Sequence, residues 1–458
     1  MSFTTGESRW ADVWIAAAAR GTTICGDFLA ATALALALQG AGAGGLAVSG
    51  LLLAATLPLV VLAPLAGRLA DRMDSRTLLV TIGFAQAAIC ALLAVVEQPV
   101  LVVGLVTLLA CGLAVTQPCL AALLPAMVRP ADLPRASAIS QTAVSLGALG
   151  GPVLAGLLVG QFGTRVPLLL DAATYLALVV AGLLLRTRRG GRQPATSQAP
   201  ASSQAAASSQ AASGGVPTAG GTESGWRLHR DPLMLVMVVS TAVVIAAIGG
   251  INVIEVFFIR ETLGGSPTTY GLVSAAWMAG MLPGTWLAVR LARRLDDDGA
   301  LVRGVLATLA VCSLMVLLAA TVPAAGVLVP LWLVGGAANG GENVFANLLT
   351  ARRVPEAMRA RAYASYGAAV QGGSMAGFLI GGALLAAVPP RPLIAGAGVV
   401  GLLVVLVFVP VVTRAVRRSS SAGLATPGRP AEPEPTAGDT VGPWLSASHA
   451  RGSGTSSS

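Results

Sequence analysis

Long apolar stretches dominate this chain and limit the folds available to it. Segments such as Leu51–Ala66 and Leu393–Val412 approach or reach the length that crosses the ~30 Å hydrocarbon core of a bilayer. A chain inside a bilayer must satisfy its backbone hydrogen bonds internally, which leaves helices and closed barrels. The stretches lack the strict alternation of barrel strands, so we predict membrane-spanning helices.

Charged residues are too few for a soluble protein. They make up 11% of the 458 residues, against 55% hydrophobic residues, whereas soluble domains carry about 25% charged residues. The formal net charge is +9, and every basic residue is an arginine. Because the arginines lie mainly between apolar stretches, we expect them at the surface of a lipid bilayer and expect no nucleic acid as a partner.

Side chains that carry enzyme chemistry are scarce. Five cysteines lie inside apolar stretches without metal-ligand spacing, and we expect them to be small buried hydrophobic residues: Cys25, Cys90, Cys111, Cys119 and Cys312. Both histidines, His229 and His449, lie in polar segments. The sequence has no phosphate-binding loop, metal cluster or nucleophile motif. We therefore predict neither an enzyme nor an ATP-driven pump, and no metal or cofactor.

The apolar stretches predict an all-α membrane protein with twelve transmembrane helices. Their ranges are 13–38, 46–66, 77–96, 100–123, 136–160, 167–185, 233–259, 269–289, 301–321, 327–349, 362–387 and 393–413. We predict a cytoplasmic N-terminus (1–12), an N-terminal six-helix bundle (13–185) and a C-terminal six-helix bundle (233–414). Small polar residues and proline in 186–232 and 415–458 predict a flexible linker and a disordered tail.

Two patterns occur in both halves and predict pseudo-symmetry. The charged string Gly67–Leu79 returns, altered, as Val289–Leu301, 222 positions later. At an offset of 226, the second pattern aligns these pairs: Arg135 with Arg361, Gly147 with Gly373, Gly151 with Gly377, and Gly156 with Gly382. Two parallel repeats of six helices place a pathway at their interface, where one half can rock against the other.

Arginines are concentrated in alternate loops. If both termini are cytoplasmic, the outer loops hold only Arg165, Arg260 and Arg391. The positive-inside rule favours that orientation. We therefore predict a multi-pass protein of the cytoplasmic (inner) membrane with both termini in the cytoplasm. The exclusive use of arginine is typical of a GC-rich genome, which favours a bacterial source.

Several motifs together carry a resemblance to a known family. Gly67–Arg76 has the form Gly-x-Leu-Ala-Asp-Arg-x-x-x-Arg, and Gly147–Gly156 is rich in small residues around Pro152. Over residues 10–415 the chain resembles the major facilitator superfamily, in which these segments are similar to motif A and motif C. The runs Arg20-x5-Gly26-Asp27, Gln117-Pro118-x6-Pro125, Asp171-Ala172 and Trp226–Pro232 resemble the drug, macrolide and siderophore exporters of that family.

The resemblance implies a secondary transporter with a small-molecule substrate, in two bundles of one monomer. It associates motif C with antiport. One feature departs from the pattern, because the fourth predicted helix (100–123) contains no arginine. A proton relay built on that residue does not transfer to this chain. Arg20, the one basic residue deep in an apolar stretch, is a candidate substitute.

Motif A is interpreted as a conformational latch. The resemblance implies that Gly67, Asp71, Arg72 and Arg76 pair across the half interface and hold one conformation. The alternative is a topology signal, for which the arginines alone suffice. We favour the latch because topology does not require Asp71, and we expect Asp71→Asn to keep membrane insertion and to cut transport sharply. The second copy has Arg293 at the position of Asp71.

Motif C predicts a close helix contact. Small residues at Gly147, Gly151 and Gly156 allow a neighbouring helix to approach. Pro152 lacks a backbone donor and predicts a bend. The aligned residue in the second half is Phe378, so the bend is expected in the first half only.

Polar residues inside the apolar stretches are the best candidates for a binding site. Ionisable groups in a bilayer are costly and usually face a cavity or a partner. We predict that proton coupling and the substrate cavity depend on these residues: Arg20, Asp27, Gln117, Asn252, Glu255, Asn339, Glu342 and Asn343. Burial disfavours the charged form of a carboxyl group, so such a group can load and release a proton.

Each carboxyl group also has a simpler interpretation. Asp27 is either a proton or substrate site, or a fixed partner of Arg20 or a cap at Gly26. Glu255 lies near a helix end and is also interpreted as reaching water. Glu342 is also interpreted as bonding its asparagine neighbours and holding the tenth helix to the fourth. Asp171 is expected to be structural.

The sequence thus favours an exporter of a hydrophobic or amphipathic small molecule, such as a drug, antibiotic or secondary metabolite, in exchange for protons. The proton gradient is the expected energy source. Two alternatives stay open: a proton-coupled importer of a small nutrient, and a membrane protein that flips lipids or senses a ligand.

Overall fold

The computed structural model describes residues 8–187, 228, 231–295 and 297–424. Within these ranges the long elements are all helices. They are α1 (Trp10–Gly40), α2 (Gly44–Val61), α3 (Ser75–Leu93), α4 (Pro99–Met127), α5 (Leu133–Phe162), α6 (Arg165–Leu184), α7 (Pro232–Gly249, then Ile251–Phe257 and the π-helical Phe258–Thr262), α8 (Pro267–Ala292), α9 (Asp298–Ala319), α10 (Leu328–Arg353), α11 (Glu356–Leu384) and α12 (Pro390–Leu424). A short helix, Ala63–Arg72, follows α2.

Ten of the described helices are long and apolar enough to cross a membrane. The two long helices below that level of hydropathy are α10, which carries Asn339, Glu342 and Asn343, and the glycine-rich α11. Large apolar side chains also cover the outside of the bundle, for example Val100 at 84% and Leu406 at 68% exposure. Lipid chains cover such a surface. The protein is therefore a multi-pass membrane protein, and its twelve-helix fold was predicted correctly.

Several helix bounds differ from the prediction. Trp10 already begins α1, so the N-terminal segment is shorter than 1–12. The predicted second helix divides at Leu62, which places Arg68 and Arg72 on the short helix Ala63–Arg72. At the other end, α12 continues to Leu424, so 415–424 are helical although we expected the disordered tail there. The rest of that tail and the linker residues 188–227 lie outside the described residues.

Helix starts follow local capping rules. Asp74 accepts a hydrogen bond from the backbone N–H of Thr77 and caps α3. Asp231 caps α7 in the same way, with Pro232 at the first helical position. Side-chain oxygens of this kind satisfy backbone donors that a helix start leaves open. The caps explain why α3 and α7 begin where polar residues meet the apolar stretch.

Successive helices run in opposite directions, so the odd-numbered helices begin, and the even-numbered helices through α10 end, at the same face. We call this the basic face, because its loops and helix ends carry Arg68, Arg72, Arg76, Arg129, Arg135, Arg290, Arg293, Arg294, Arg303, Arg352, Arg353, Arg359 and Arg361. We call the other side the opposite face.

The buried apolar residues show where the two halves meet. One cluster joins both halves, with Leu34 and Val48 from the first and Ile254 and Phe378 from the second. It lies toward the opposite face. Two further clusters lie nearer the basic face, and each draws its residues from one half alone. The halves are thus packed together at the opposite face and have separate cores on the basic-face side.

Candidate functional site

A pocket in the N-terminal half collects several of the predicted site residues. It lies between α1, α4 and α6, and in this conformation it has room for about one water molecule. Its polar lining residues are Arg20, Thr23, Thr116, Gln117 and Tyr175. Arg20 and Gln117 were predicted from the sequence, and the structure places them in the same pocket.

Arg20 has weak polar contacts inside this pocket. Its Nη1 donates to Ser140 Oγ of α5 over 3.4 Å, and its buried Nε has no hydrogen-bond partner. No ion pair joins Arg20 to Asp27 within the described ranges. The interpretation of Asp27 as a fixed partner of Arg20 is therefore not observed. A cation with this environment is available to a polar ligand in the pocket.

Asp27 instead pairs with a tyrosine. The Tyr175 hydroxyl of α6 donates to Asp27 Oδ1 over 2.5 Å. Tyr175 is fully buried and also lines the pocket, so it connects the half-buried Asp27 to the pocket wall. The pocket thus contains the Arg20 guanidinium group, and the Asp27 carboxyl group is bonded to its Tyr175 wall.

Asp171 lies behind Asp27 and is completely buried. Cys90 Sγ of α3 donates to its Oδ2 over 3.1 Å, and Thr174 Oγ1 lies 3.2 Å from its Oδ1. A Cβ added to Gly26 would collide with the same Oδ1, so the carboxyl group lies directly against α1. Asp171 therefore belongs to the packing of α1, α3 and α6.

Glu342 occupies a closed polar site in the C-terminal half. Its Oε1 accepts from the Tyr366 hydroxyl of α11 over 2.5 Å and from Thr241 Oγ1 of α7 over 3.4 Å. Its exposure is 2%. The contacts join α10 to α7 and α11, whereas the interpretation from sequence had placed Glu342 among its asparagine neighbours and against the fourth helix. Among the asparagines, Asn343 donates to the carbonyl oxygen of Asn339, one turn earlier on α10.

Glu255 is enclosed near the opposite face. It is 8% exposed, so it does not reach water in this conformation. Its carboxyl group interacts with Trp332 of α10 and Tyr270 of α8, and its Oε1 has no hydrogen-bond partner among the described atoms. Asn252, three residues earlier, is exposed and donates to the carbonyl oxygen of Gly249. The structure does not bring Asn252 and Glu255 into the N-terminal pocket.

Motif C forms two contacts at once. A Cβ on Gly147 would collide with Gly21 of α1, and one on Gly151 would meet Cys25 O at 2.6 Å. Gly156 faces the other half, where its Cβ would meet Pro267 O of α8 at 2.7 Å. Helix α5 runs unbroken through the buried Pro152. The motif therefore packs α5 against α1 and also closes the seam with α8.

The second half repeats this arrangement. A Cβ on Gly373 would meet Ala242 O of α7 at 2.5 Å, and one on Gly382 would collide with Ser49 Oγ of α2. Each cross-half seam also has a hydroxyl donor. Thr268 Oγ1 donates to Gly156 O over 3.2 Å, and Ser49 Oγ donates to Phe378 O over 2.6 Å. The duplicated glycines at an offset of 226 thus make equivalent contacts, and both seams lie toward the opposite face.

Motif A lies on the basic face. Arg72 is exposed and Arg76 is half-buried, whereas the surroundings of Gly67 and Asp71 lie outside the described part of the structure. The C-terminal half has a well-defined ion network at this face. Arg353 binds Asp231 over 2.8 Å and Asp298 over 3.1 Å, which joins the ends of α10, α7 and α9. The latch function of Asp71 stays a prediction.

Comparison with known sequences identifies the family. Residues 6–433 match the family described as transmembrane secretion effectors. The chain belongs to this branch of the major facilitator superfamily. No curated protein matches it. The family and the fold make this chain a membrane transporter rather than an enzyme.

Solved structures show the same fold for this transporter. A mutant form of the nucleoside transporter NupG has a TM-score of 0.68 and 14% identity, covering 88% of this chain and 99% of its own. A bacterial homologue of the human lysosomal transporter Spinster, inward-facing and unoccupied, has a TM-score of 0.64 and 15% identity, covering 89% and 97%. A bacterial homologue of the iron transporter ferroportin, also inward-facing, has a TM-score of 0.62 and 16% identity, covering 90% and 100%.

The tyrosines of this transporter were not predicted as site residues. The chain has four, and three of them lie beside carboxyl groups within the apolar helices: Tyr175 by Asp27, Tyr366 by Glu342, and Tyr270 by Glu255. Their scarcity in an apolar chain is a signal that was available in the sequence. Cys90, Ser140 and Thr241 are ordinary membrane-helix residues, and nothing in the sequence marks them as partners.

Proposed function

We propose that this transporter exports a hydrophobic or amphipathic small molecule across the cytoplasmic membrane in exchange for protons. One observation supports the proposal most strongly: Arg20, Gln117 and the Tyr175–Asp27 pair meet at one pocket between α1, α4 and α6. Polar groups that converge in an otherwise apolar wall are typical of a small-molecule site. We propose that the proton gradient is the sole energy source and that the unit is a monomer.

The orientation that we propose decides which side of the membrane each end of the bundle faces. With the basic face in the cytoplasm, as the positive-inside rule favours, the closed seams lie on the outer side. The separate cores on the cytoplasmic side leave the two halves free to part there. Substrate then enters the pocket from the cytoplasm or from the inner leaflet of the bilayer. Breaking the α5–α8 and α2–α11 seams would expose it to the outside.

The coupling depends on the half-buried carboxyl group of Asp27, which is either ionised or protonated. An ionised Asp27 accepts the Tyr175 hydrogen bond and favours the substrate-bound form, and a protonated Asp27 favours return of the empty transporter. Each proton that enters from outside and leaves to the cytoplasm then drives one export cycle. Arg20 and Gln117 position polar groups of the substrate, while the apolar lining accommodates its hydrophobic part.

A flux assay with purified protein in proteoliposomes tests this function. Vesicles carry an imposed pH gradient and a panel of fluorescent amphipathic dyes, and internal pH is recorded together with dye movement. We expect the dye to move against the direction of proton flow in wild-type vesicles and not in Asp27→Asn vesicles. Movement of the dye and the protons in the same direction would instead identify a symporter. Absence of dye movement and of substrate-dependent pH change would contradict transport of these molecules and favour lipid flipping or sensing.

A further inference from the structure

The carboxyl group of Asp171 has no charged partner. It is completely buried between α1, α3 and α6, and no arginine forms an ion pair with it within the described ranges. Its polar neighbours are the Cys90 thiol and the Thr174 hydroxyl. An isolated ionised carboxylate is very costly in such a place, and the usual response is to bind a proton.

The hydrogen bonds fit a protonated Asp171. Thr174 has a single hydroxyl proton, and its oxygen lies 2.8 Å from the main-chain oxygen of Asp171 but 3.2 Å from Oδ1. If the shorter contact takes that proton, the Thr174 oxygen can accept in turn from an Asp171 O–H group at Oδ1. Cys90 donates to the other oxygen, Oδ2, so a neutral carboxylic acid satisfies every contact around the group.

Asp171 is also electrostatically linked to the proposed exchange site. Its Oδ1 lies against Gly26, the residue before Asp27, and Tyr175, one turn after Asp171, donates to Asp27. The titratable groups around the two carboxyl groups are Cys25 on α1, Cys90 on α3 and Tyr175 on α6, and Arg20 lies two turns before Asp27 on α1. Arg20 is bonded to Ser140 and forms an ion pair with neither. Two carboxyl groups coupled in a poorly solvated site do not ionise independently.

We propose that Asp171 and Asp27 bind protons in sequence. Asp171 holds the first proton and keeps it in the conformation described here, while Asp27 takes up and releases the second through the pocket. Asp171 is then a second proton-binding site, and its neutral form is the condition under which Asp27 can ionise and accept the Tyr175 bond. The exchange by Asp27 rests on the proposed antiport function, whereas the proton on Asp171 does not.

Infrared spectroscopy of the purified wild-type protein tests the assignment directly. Protonated carboxyl groups give a separate C=O band, and comparison with single variants removes the contributions of Glu255 and Glu342. At neutral pH we expect the Asp171→Asn variant to lack one band that the wild type and Asp27→Asn both retain. On acidification a second band should grow in the wild type and in Asp171→Asn, and be absent from Asp27→Asn. Identical neutral-pH spectra for wild type and Asp171→Asn would overturn the proposal.

Two controls keep the test decisive. Asparagine has the size of aspartate and keeps an acceptor for Cys90 and a donor toward Thr174, so a folding defect is not expected. Should Asp171→Asn fail to fold, Cys90→Ala serves instead. Loss of the thiol donor should shift the frequency of the neutral-pH band if that band belongs to Asp171, and an unshifted band would contradict the assignment. A wild type that shows both bands but no proton-coupled flux would refute the antiport function and leave the Asp171 site standing.

Discussion

The N-terminal and C-terminal halves share a backbone plan but hold their carboxyl groups in different ways. In the first half, Asp27 is half-buried, bonds to Tyr175 and adjoins a pocket that also contains Arg20. In the second half, Glu342 is almost fully buried and bonds to Tyr366 and Thr241. Helices α8 and α10 pack closely beside it. Each carboxyl group accepts a tyrosine hydroxyl at the same distance. The difference is access, which makes the N-terminal carboxyl group the better candidate for exchange.

The largest expected effect comes from neutralising the two carboxyl groups in turn. Proton and substrate binding are coupled through Asp27 in our proposal, so Asp27→Asn should lower proton-driven flux by about 100-fold. Glu342→Gln retains acceptors for Tyr366 and Thr241 and should change flux by no more than about twofold. Flux in proteoliposomes, normalised to inserted protein, measures both. A greater loss of flux in Glu342→Gln than in Asp27→Asn would make the C-terminal carboxyl group the better candidate for exchange.

The next largest effect is expected from overpacking the α5–α8 and α2–α11 seams, which shows whether the two seams are equivalent. Gly156→Ala and Gly382→Ala each place a methyl group against backbone or a hydroxyl of the other half. Overpacking of this kind costs about 1–3 kcal/mol, which should open the outer seam and lower flux by about tenfold. Labelling of a cysteine introduced near the seam reports its opening. Gly160→Ala and Gly372→Ala are the matched controls, because their methyl groups meet only Thr268 Oγ1 at 3.5 Å or nothing within 4 Å.

If only one of the two seam variants opens the outer side, the seams are not interchangeable. That result would limit the symmetry to the backbone.

A smaller effect is expected from the two tyrosines. Tyr175→Phe removes the donor to Asp27, and Tyr366→Phe removes the donor to Glu342. One such bond contributes about 1 kcal/mol, so Tyr175→Phe should change flux about fivefold. For Tyr366→Phe we expect a lower melting temperature with little change in flux. Equal flux defects in the two variants would show that both carboxyl groups act in coupling.

The smallest effect on flux is expected at the basic face of the C-terminal half. Arg353→Met breaks the contacts to Asp231 and Asp298 and leaves both carboxylates without their partner. Loss of these charged hydrogen bonds should destabilise the protein by about 2 kcal/mol. A thermal-shift assay in detergent measures this loss, while flux per folded molecule should stay within about twofold. A large flux defect without a stability change would give this network a gating role.

Much of the fold could be predicted because it depends on local properties of the sequence. Apolar length and arginine placement specify the twelve spans, the glycines at an offset of 226 indicate the pseudo-symmetry, and those of motif C indicate a close helix contact. The helix bounds were less accurate, since α2 ends at Val61 and α12 continues to Leu424. Caps such as Asp74 and Asp231 decide such ends by individual hydrogen bonds.

The polar site residues could also be predicted from the sequence, because an ionisable residue in an apolar stretch is recognisable whatever it contacts in the fold. The sequence by itself determined that Arg20, Asp27, Glu255 and Glu342 are costly to bury and need partners. Only the tertiary structure decided which partners they have. Asp27 bonds to Tyr175, 148 residues away, rather than to Arg20 two turns along its own helix. Such pairs depend on the rotation of each helix about its axis and on which helices pack beside it. Local sequence determines neither.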